Sequence, residues 1–135
     1  MGNLVLVAED EQNIRDLLVT FLQIGGFEAV AVCNGAEAIA QARACKPDLI
    51  LLDVHMPEMD GYQACEVLKA APDTKDIPVV FVSAYANKDQ IEHGLALGAA
   101  KYLAKPFAFD ALTQQLTDVL EQVNTTRSDN AVAVA

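Results

Sequence analysis

Five short apolar runs, each followed by a segment of helical period, constrain this chain more than any other feature. Leu4-Val5-Leu6-Val7 reads as a buried strand, and a helix follows from about Glu11 to Ile24. In that helix Ile14, Leu17, Leu18 and Phe21 recur at helical spacing, and Gly25-Gly26 ends it. Ala29 to Val32 is a second strand, after which Asn34 caps a helix that stops before Pro47. Asp48 to Leu52 is a third strand, and a helix runs from about Gly61 to Ala70. Val79 to Val82 is a fourth, followed by a helix from about Lys88 to Leu97 that ends at Gly98. Lys101 to Ala104 is a short fifth strand, and the last helix covers about Phe109 to Val123. Strands apolar on both faces must be covered on both faces, which predicts an α/β fold with a parallel sheet between helices. Right-handed crossovers then give a doubly wound, five-stranded sheet flanked by five helices.

A length of 135 residues suits one domain with a sizeable core. With 53% hydrophobic residues and no tryptophan, that core is built of aliphatic side chains and a few Phe. The expected domain is 1–123; from Asn124 the composition turns to Asn, Thr, Ser, Asp and small apolar residues, so 124–135 is expected to be an unstructured tail. No apolar run reaches the ~20 residues of a membrane span, and the N-terminus lacks the basic start of a secretory signal. Leu6 stands where a myristoylation motif needs a small hydroxyl residue. The net charge of −10 disfavours direct nucleic-acid binding, because phosphate contacts need Lys and Arg. Cys33, Cys45 and Cys65 show no metal-ligand spacing and read as reduced thiols of a cytoplasmic protein.

In doubly wound sheets, ligands bind outside the carboxyl ends of the strands. Glu9, Asp10 and Glu11 stand at the end of strand one, Asp53 after strand three, Ser83 after strand four and Lys105 after strand five. Converging carboxylates repel unless one is protonated or a cation sits between them, and Mg²⁺ takes oxygen ligands of this kind. Asp53, fixed by rigid scaffold, can act as a nucleophile toward phosphorus. The transferring group would need cations and donors around it, and a bound Mg²⁺, Lys105 and the Ser83 hydroxyl supply them.

These motifs together resemble the receiver domain of two-component response regulators. The resemblance rests on Glu9-Asp10, the segment Asp53-Val54-His55-Met56-Pro57-Glu58-Met59-Asp60-Gly61, Ser83-Ala84 and Lys105-Pro106-Phe107, and covers about Leu4 to Val123. It implies a flavodoxin-like sheet in strand order 2-1-3-4-5, as in a chemotaxis receiver. It implies that Asp53 accepts a phosphoryl group from a histidine kinase or phosphotransfer protein. Asp10 would ligate Mg²⁺ (or Mn²⁺) directly, Glu9 directly or through water, and the His55 backbone carbonyl would be a further ligand. Lys105 would pair with the phosphoryl group and Ser83 would turn to hydrogen-bond it. Tyr102 would be the aromatic switch that swings inward with Ser83, and the Lys105–Pro106 peptide would be cis. Serine at 83 replaces the commoner threonine, which loosens the rotamer preference.

His55 and Tyr85 border the entrance and are expected to shield the phosphoryl group from water. His93 reads as surface, and Met56 and Met59 as packing. Lys88, Glu92, Lys101, Tyr102 and the last helix surround the region where family members dock partners or dimerise. The expected function is a phosphorylation-dependent switch that catalyses only its own phosphorylation and dephosphorylation, as a monomer or a phosphorylation-dependent dimer. One rival is an aspartate-nucleophile phosphohydrolase, but that chemistry wants an acid where His55 stands. The other is an interaction module that has lost phosphorylation, against which the complete set of acids, Ser83 and Lys105 speaks. With no output domain following, a stand-alone protein acting through a downstream protein is expected, unless the chain is a fragment.

Overall fold

The computed structural model describes the backbone of residues 3–134 and the side chains of residues 3–123. Strands and helices alternate throughout: β1 (Leu4–Ala8), α1 (Gln12–Ile24), β2 (Glu28–Val32), α2 (Gly35–Cys45), β3 (Leu49–Asp53), α3 (Gly61–Ala70), β4 (Val79–Ser83), α4 (Lys88–Ala96), β5 (Lys101–Ala104) and α5 (Phe109–Val134). The five strands form one parallel sheet in the order β2-β1-β3-β4-β5. The expected topology is therefore the observed one.

The central strands are apolar on both faces because each face meets a helical layer. Leu6, Ile50, Leu52 and Phe81 pack with Ala38 and Ala42 of α2 and Ala64 and Leu68 of α3. Val5, Val7, Leu51 and Val82 turn the other way, onto α1 and α5 through Leu18, Leu22, Leu112 and Leu116. Alternation along each strand sends successive side chains to opposite layers.

Helix ends follow local chemistry. The Asn34 side chain accepts from the Glu37 amide to cap α2, and Asn87 accepts from the Gln90 amide to cap α4. Asp60 and Gln63 form a reciprocal capping box at the start of α3. Gly26 and Gly98 take positive φ after α1 and α4, a region open to glycine. Several boundaries differ from expectation: β1 runs on to Ala8 and β2 begins at Glu28. β3 begins at Leu49 and includes Asp53, and β4 includes Ser83, because Asp53 pairs with Val82 and Ser83 with Ala104 in the ladders. Helix α5 continues beyond Val123 to Val134. The anticipated tail, 124–135, lies outside the residues whose side chains are described. Among the described residues no helix is long and apolar enough to cross a membrane.

Candidate functional site at the carboxyl ends of the strands

The parallel register brings the ends of β1, β3, β4 and β5 to one edge. The Glu9 amide donates to the Val32 carbonyl (3.1 Å) and the Lys105 amide to the Ser83 carbonyl (2.8 Å), so both residues prolong the ladders just past their strands. Carboxylate oxygens of Glu9, Asp10 and Asp53 lie within 4.8 Å of one another. Glu9 is 1% exposed and Asp53 6%, whereas Asp10 faces solvent.

Lys105 answers part of this charge. Its ammonium lies 2.6 Å from Glu9 Oε1 and 3.4 Å from Asp53 Oδ1. Burial alone would push the Lys105 ammonium down, but its hydrogen bond to Glu9 and the charge of Asp53 hold it above its ordinary value. Glu9 is pushed up by burial first and by Asp53 second, and Lys105 offsets this only in part. Three carboxylates thus face one ammonium. Glu9 Oε2 is buried with no hydrogen-bond partner among the described residues. A buried carboxylate oxygen without a donor is costly. A hard divalent cation held by oxygen ligands relieves both the orphan oxygen and the excess charge, so the residues present fit such an ion.

The loop after β3 is anchored from both sides. The His55 amide approaches Asp53 Oδ1 at 3.4 Å, and the Gly61 amide donates to the Val54 carbonyl at 2.8 Å. A Cβ at Gly61 would stand 2.2 Å from the Asp53 carbonyl oxygen, so only glycine lets α3 start this close to the site. The Lys105–Pro106 peptide is cis. The His55 and Tyr85 rings meet edge to face at 4.7 Å beside the site, with Tyr85 63% exposed. His93 is exposed but its ring lies 4.6 Å from that of Tyr62.

Ser83 is fully buried, and among the described residues its hydroxyl makes no hydrogen bond to the carboxylates; its Oγ accepts from the Tyr85 amide at 3.0 Å. Tyr102 sits farther along β5, opposite Phe81, and its hydroxyl donates to the Tyr85 carbonyl at 2.8 Å. Tyr85 thus joins Ser83 to Tyr102 through its backbone. Three participants escape a reading of the sequence. Arg15 on α1 donates to the Glu9 carbonyl at 2.9 Å and steadies the acidic turn. Tyr62 and Gln90 meet the Tyr102 hydroxyl region from α3 and α4. The Tyr62 phenol is pushed up by burial and by the adjacent Tyr102 hydroxyl. The one sequence signal was a polar-tipped aromatic directly after Gly61, at a helix start.

Comparison with known proteins shows the family to which the chain is similar. The response regulator receiver domain model matches residues 5–117. The chain is 34% identical over 126 residues to a probable transcriptional regulator ycf27 of Porphyridium aerugineum, covering 93% of this chain and 51% of that protein. It is 34% identical over 131 residues to the transcriptional regulatory protein PrrA of Mycobacterium leprae (strain TN), covering 97% and 55%. The chain spans about half the length of these curated relatives. Among solved structures, the chemotaxis protein CheY4 of Vibrio cholerae superposes with a TM-score of 0.84 at 29% identity, over 88% of this chain and 99% of that one. The signal receiver domain of a signal transduction histidine kinase from Syntrophus aciditrophicus gives 0.82 at 33% identity, over 90% and 92%.

Proposed function

This chain belongs to the response regulator receiver domain family, the phosphorylation-dependent switches of two-component signalling, and from that premise we propose that Asp53 is its phosphoryl acceptor. The observation that carries the proposal is the convergence of Asp53 with Glu9, Asp10 and Lys105, with one buried carboxylate oxygen left without a partner.

Glu9, Asp10, Asp53 and the His55 carbonyl would hold Mg²⁺, or Mn²⁺ in its place. When bound, the ion offsets negative charge on the phosphoryl oxygens. The donor is a phosphohistidine of a kinase or phosphotransfer protein. An Asp53 carboxylate oxygen forms the new bond to phosphorus, the phosphorus–nitrogen bond breaks, and the imidazole nitrogen keeps the electron pair and takes up a proton. Lys105 exchanges part of its contact with Glu9 for the phosphoryl oxygens. Ser83 gives up the Tyr85 amide and donates a hydrogen bond from its hydroxyl to a phosphoryl oxygen, which moves the Tyr85 backbone and draws Tyr102 inward with it. His55 and Tyr85 narrow the path of the water that later hydrolyses the acyl phosphate. Catalysis is limited to this gain and loss of the phosphoryl group.

We assign the receiver to residues 1–123 and leave 124–135 as a tail. Output runs to a protein partner through the face containing Tyr102, with a phosphorylation-dependent dimer as one form of that contact. The free cysteines suit a reducing cytoplasm. The test is beryllofluoride with Mg²⁺, a stand-in for the aspartyl phosphate. Thermal stability rises in the wild type by about 2.7 kcal/mol at a ligand excess of roughly 100-fold over Kd. Asp53→Asn loses the effect; a variant that keeps it moves the acceptor elsewhere.

A further inference from the structure

Tyr62 makes more contacts than a helix-start aromatic needs. Its ring packs edge-on against Phe81 of β4 (5.2 Å) and His93 of α4 (4.6 Å). Its hydroxyl lies 3.0 Å from the Tyr102 hydroxyl, 2.6 Å from Gln90 Oε1 and 3.3 Å from the Gln90 carbonyl oxygen. Protons decide how these contacts are shared. Each phenol has one to give. The Tyr85 carbonyl can only accept, so the Tyr102 proton is committed there at 2.8 Å. The contact between the two phenols must then be donated by Tyr62. That leaves the short Gln90 contact without a proton unless the amide presents its nitrogen, and a half-turn of the Gln90 amide does so. Every group is then satisfied in one direction: Gln90 Nε2 to Tyr62, Tyr62 to Tyr102, Tyr102 to the Tyr85 carbonyl. The Tyr85 amide in turn donates to Ser83 Oγ at 3.0 Å.

Both ends of this chain are fixed. Asn87 caps the Gln90 backbone amide at 2.9 Å, which sets Gln90 in the first turn of α4. Gly94 lets α4 lie directly against the Tyr102 ring: a Cβ there would stand 2.8 Å from Tyr102 Cδ2. Tyr102 is therefore held along its ring by α4 and at its tip by α3.

We infer that Tyr62 is a positioning residue for the switch: its hydroxyl, oriented by Gln90, holds Tyr102 on the Tyr85 carbonyl and sets how far the Tyr102 equilibrium lies toward that seat. The inference rests on the proposed role of Tyr102 as readout. Removing the hydroxyl while keeping the ring changes the equilibrium by about fivefold, the response to losing a hydrogen bond of about 1 kcal/mol.

The chain carries three tyrosines and no tryptophan, and Tyr62, Tyr85 and Tyr102 all belong to this cluster. Uniform 3-fluorotyrosine labelling gives three fluorine resonances, assigned by single Tyr→Phe variants. In ligand-free Tyr62→Phe and Gln90→Ala, the D₂O-induced shift of the Tyr102 resonance is expected to increase, since the ring is freed toward solvent. With Mg²⁺ and beryllofluoride, the midpoint of the Tyr102 response is expected to move about fivefold, in the same direction in both variants. A purely structural Tyr62 would change melting temperature without either effect. Tyr102 resonances that stay at their wild-type position in both variants, or move oppositely in the two, overturn the inference. Absence of any beryllofluoride response in the wild type counts against Asp53 as acceptor and leaves the ligand-free comparison standing.

Discussion

At the residue scale, Glu9 carries the clearest electrostatic consequence. Its carboxyl is held above the ordinary value of 4.5 by burial and by Asp53. The folded chain therefore binds a proton that the unfolded chain releases, in a window that opens near pH 4.5 and extends upward. Stability from this group is fully present below that pH and is lost as pH rises through the folded value. Metal-free protein is expected to lose stability as pH rises above about 4.5, and Glu9→Gln to flatten that loss. At pH 7 in a chelator, thermal melts should place the Gln variant above the wild type. The same variant should gain less from added Mg²⁺. The cysteines make a second prediction at this scale. Cys33 is exposed, and its thiol donates to Glu37 Oε1 at 3.0 Å, which holds its acidity down. Glu37→Gln is expected to speed alkylation of Cys33 at pH 8 several-fold, by mass spectrometry. Cys65, buried and pushed up to about 11 chiefly by burial, should stay unmodified while the protein is folded. Residue chemistry was legible in part from sequence: acids and Lys105 at strand ends announced the site. Arg15, Tyr62 and Gln90 did not announce themselves, because a side chain that bonds outside its own helix leaves no trace in the apolar period.

At the element scale, the start of α3 concentrates two demands. Asp60 and Gln63 close a capping box, and Gly61 admits the helix where any Cβ would collide with the Asp53 backbone. Asp60→Ala should cost about 1 kcal/mol in urea unfolding, the usual loss of a cap. Gly61→Ala should cost more, since its Cβ would sit 2.2 Å from a backbone oxygen that cannot turn aside, and it should displace Asp53 as well. A Gly61→Ala protein with unaltered stability and cation response would contradict the packing described. Helix α4 meets β5 through Gly94 in the same manner. Helix and strand identity was readable from apolar period, and the Asn34 and Gly98 ends from cap chemistry. The strand ends were read one residue short at Asp53 and Ser83, because ladder pairing with a neighbour extends a strand regardless of its own polarity.

At the scale of the whole molecule, the sheet is the rigid body on which the site depends. Leu51, 1% exposed at the centre of β3, is paired on both sides by β1 and β4. Leu51→Ala is expected to cost about 2–5 kcal/mol by the combined loss of burial and an incompletely collapsed cavity. Against a typical total of about 5–15 kcal/mol, such a loss would be visible in denaturant midpoint and in looser cation binding. The α/β class, the parallel sheet and the identity of the strand-end acids follow from the order of residues, because periodicity and burial on both faces leave few alternatives. The order 2-1-3-4-5 came from resemblance rather than from the pattern of residues. Tertiary structure alone decided the charge balance at Asp53 and the seating of Tyr102 by Tyr62. Those depend on distances of a few ångströms between residues dozens of positions apart, which local spacing does not encode.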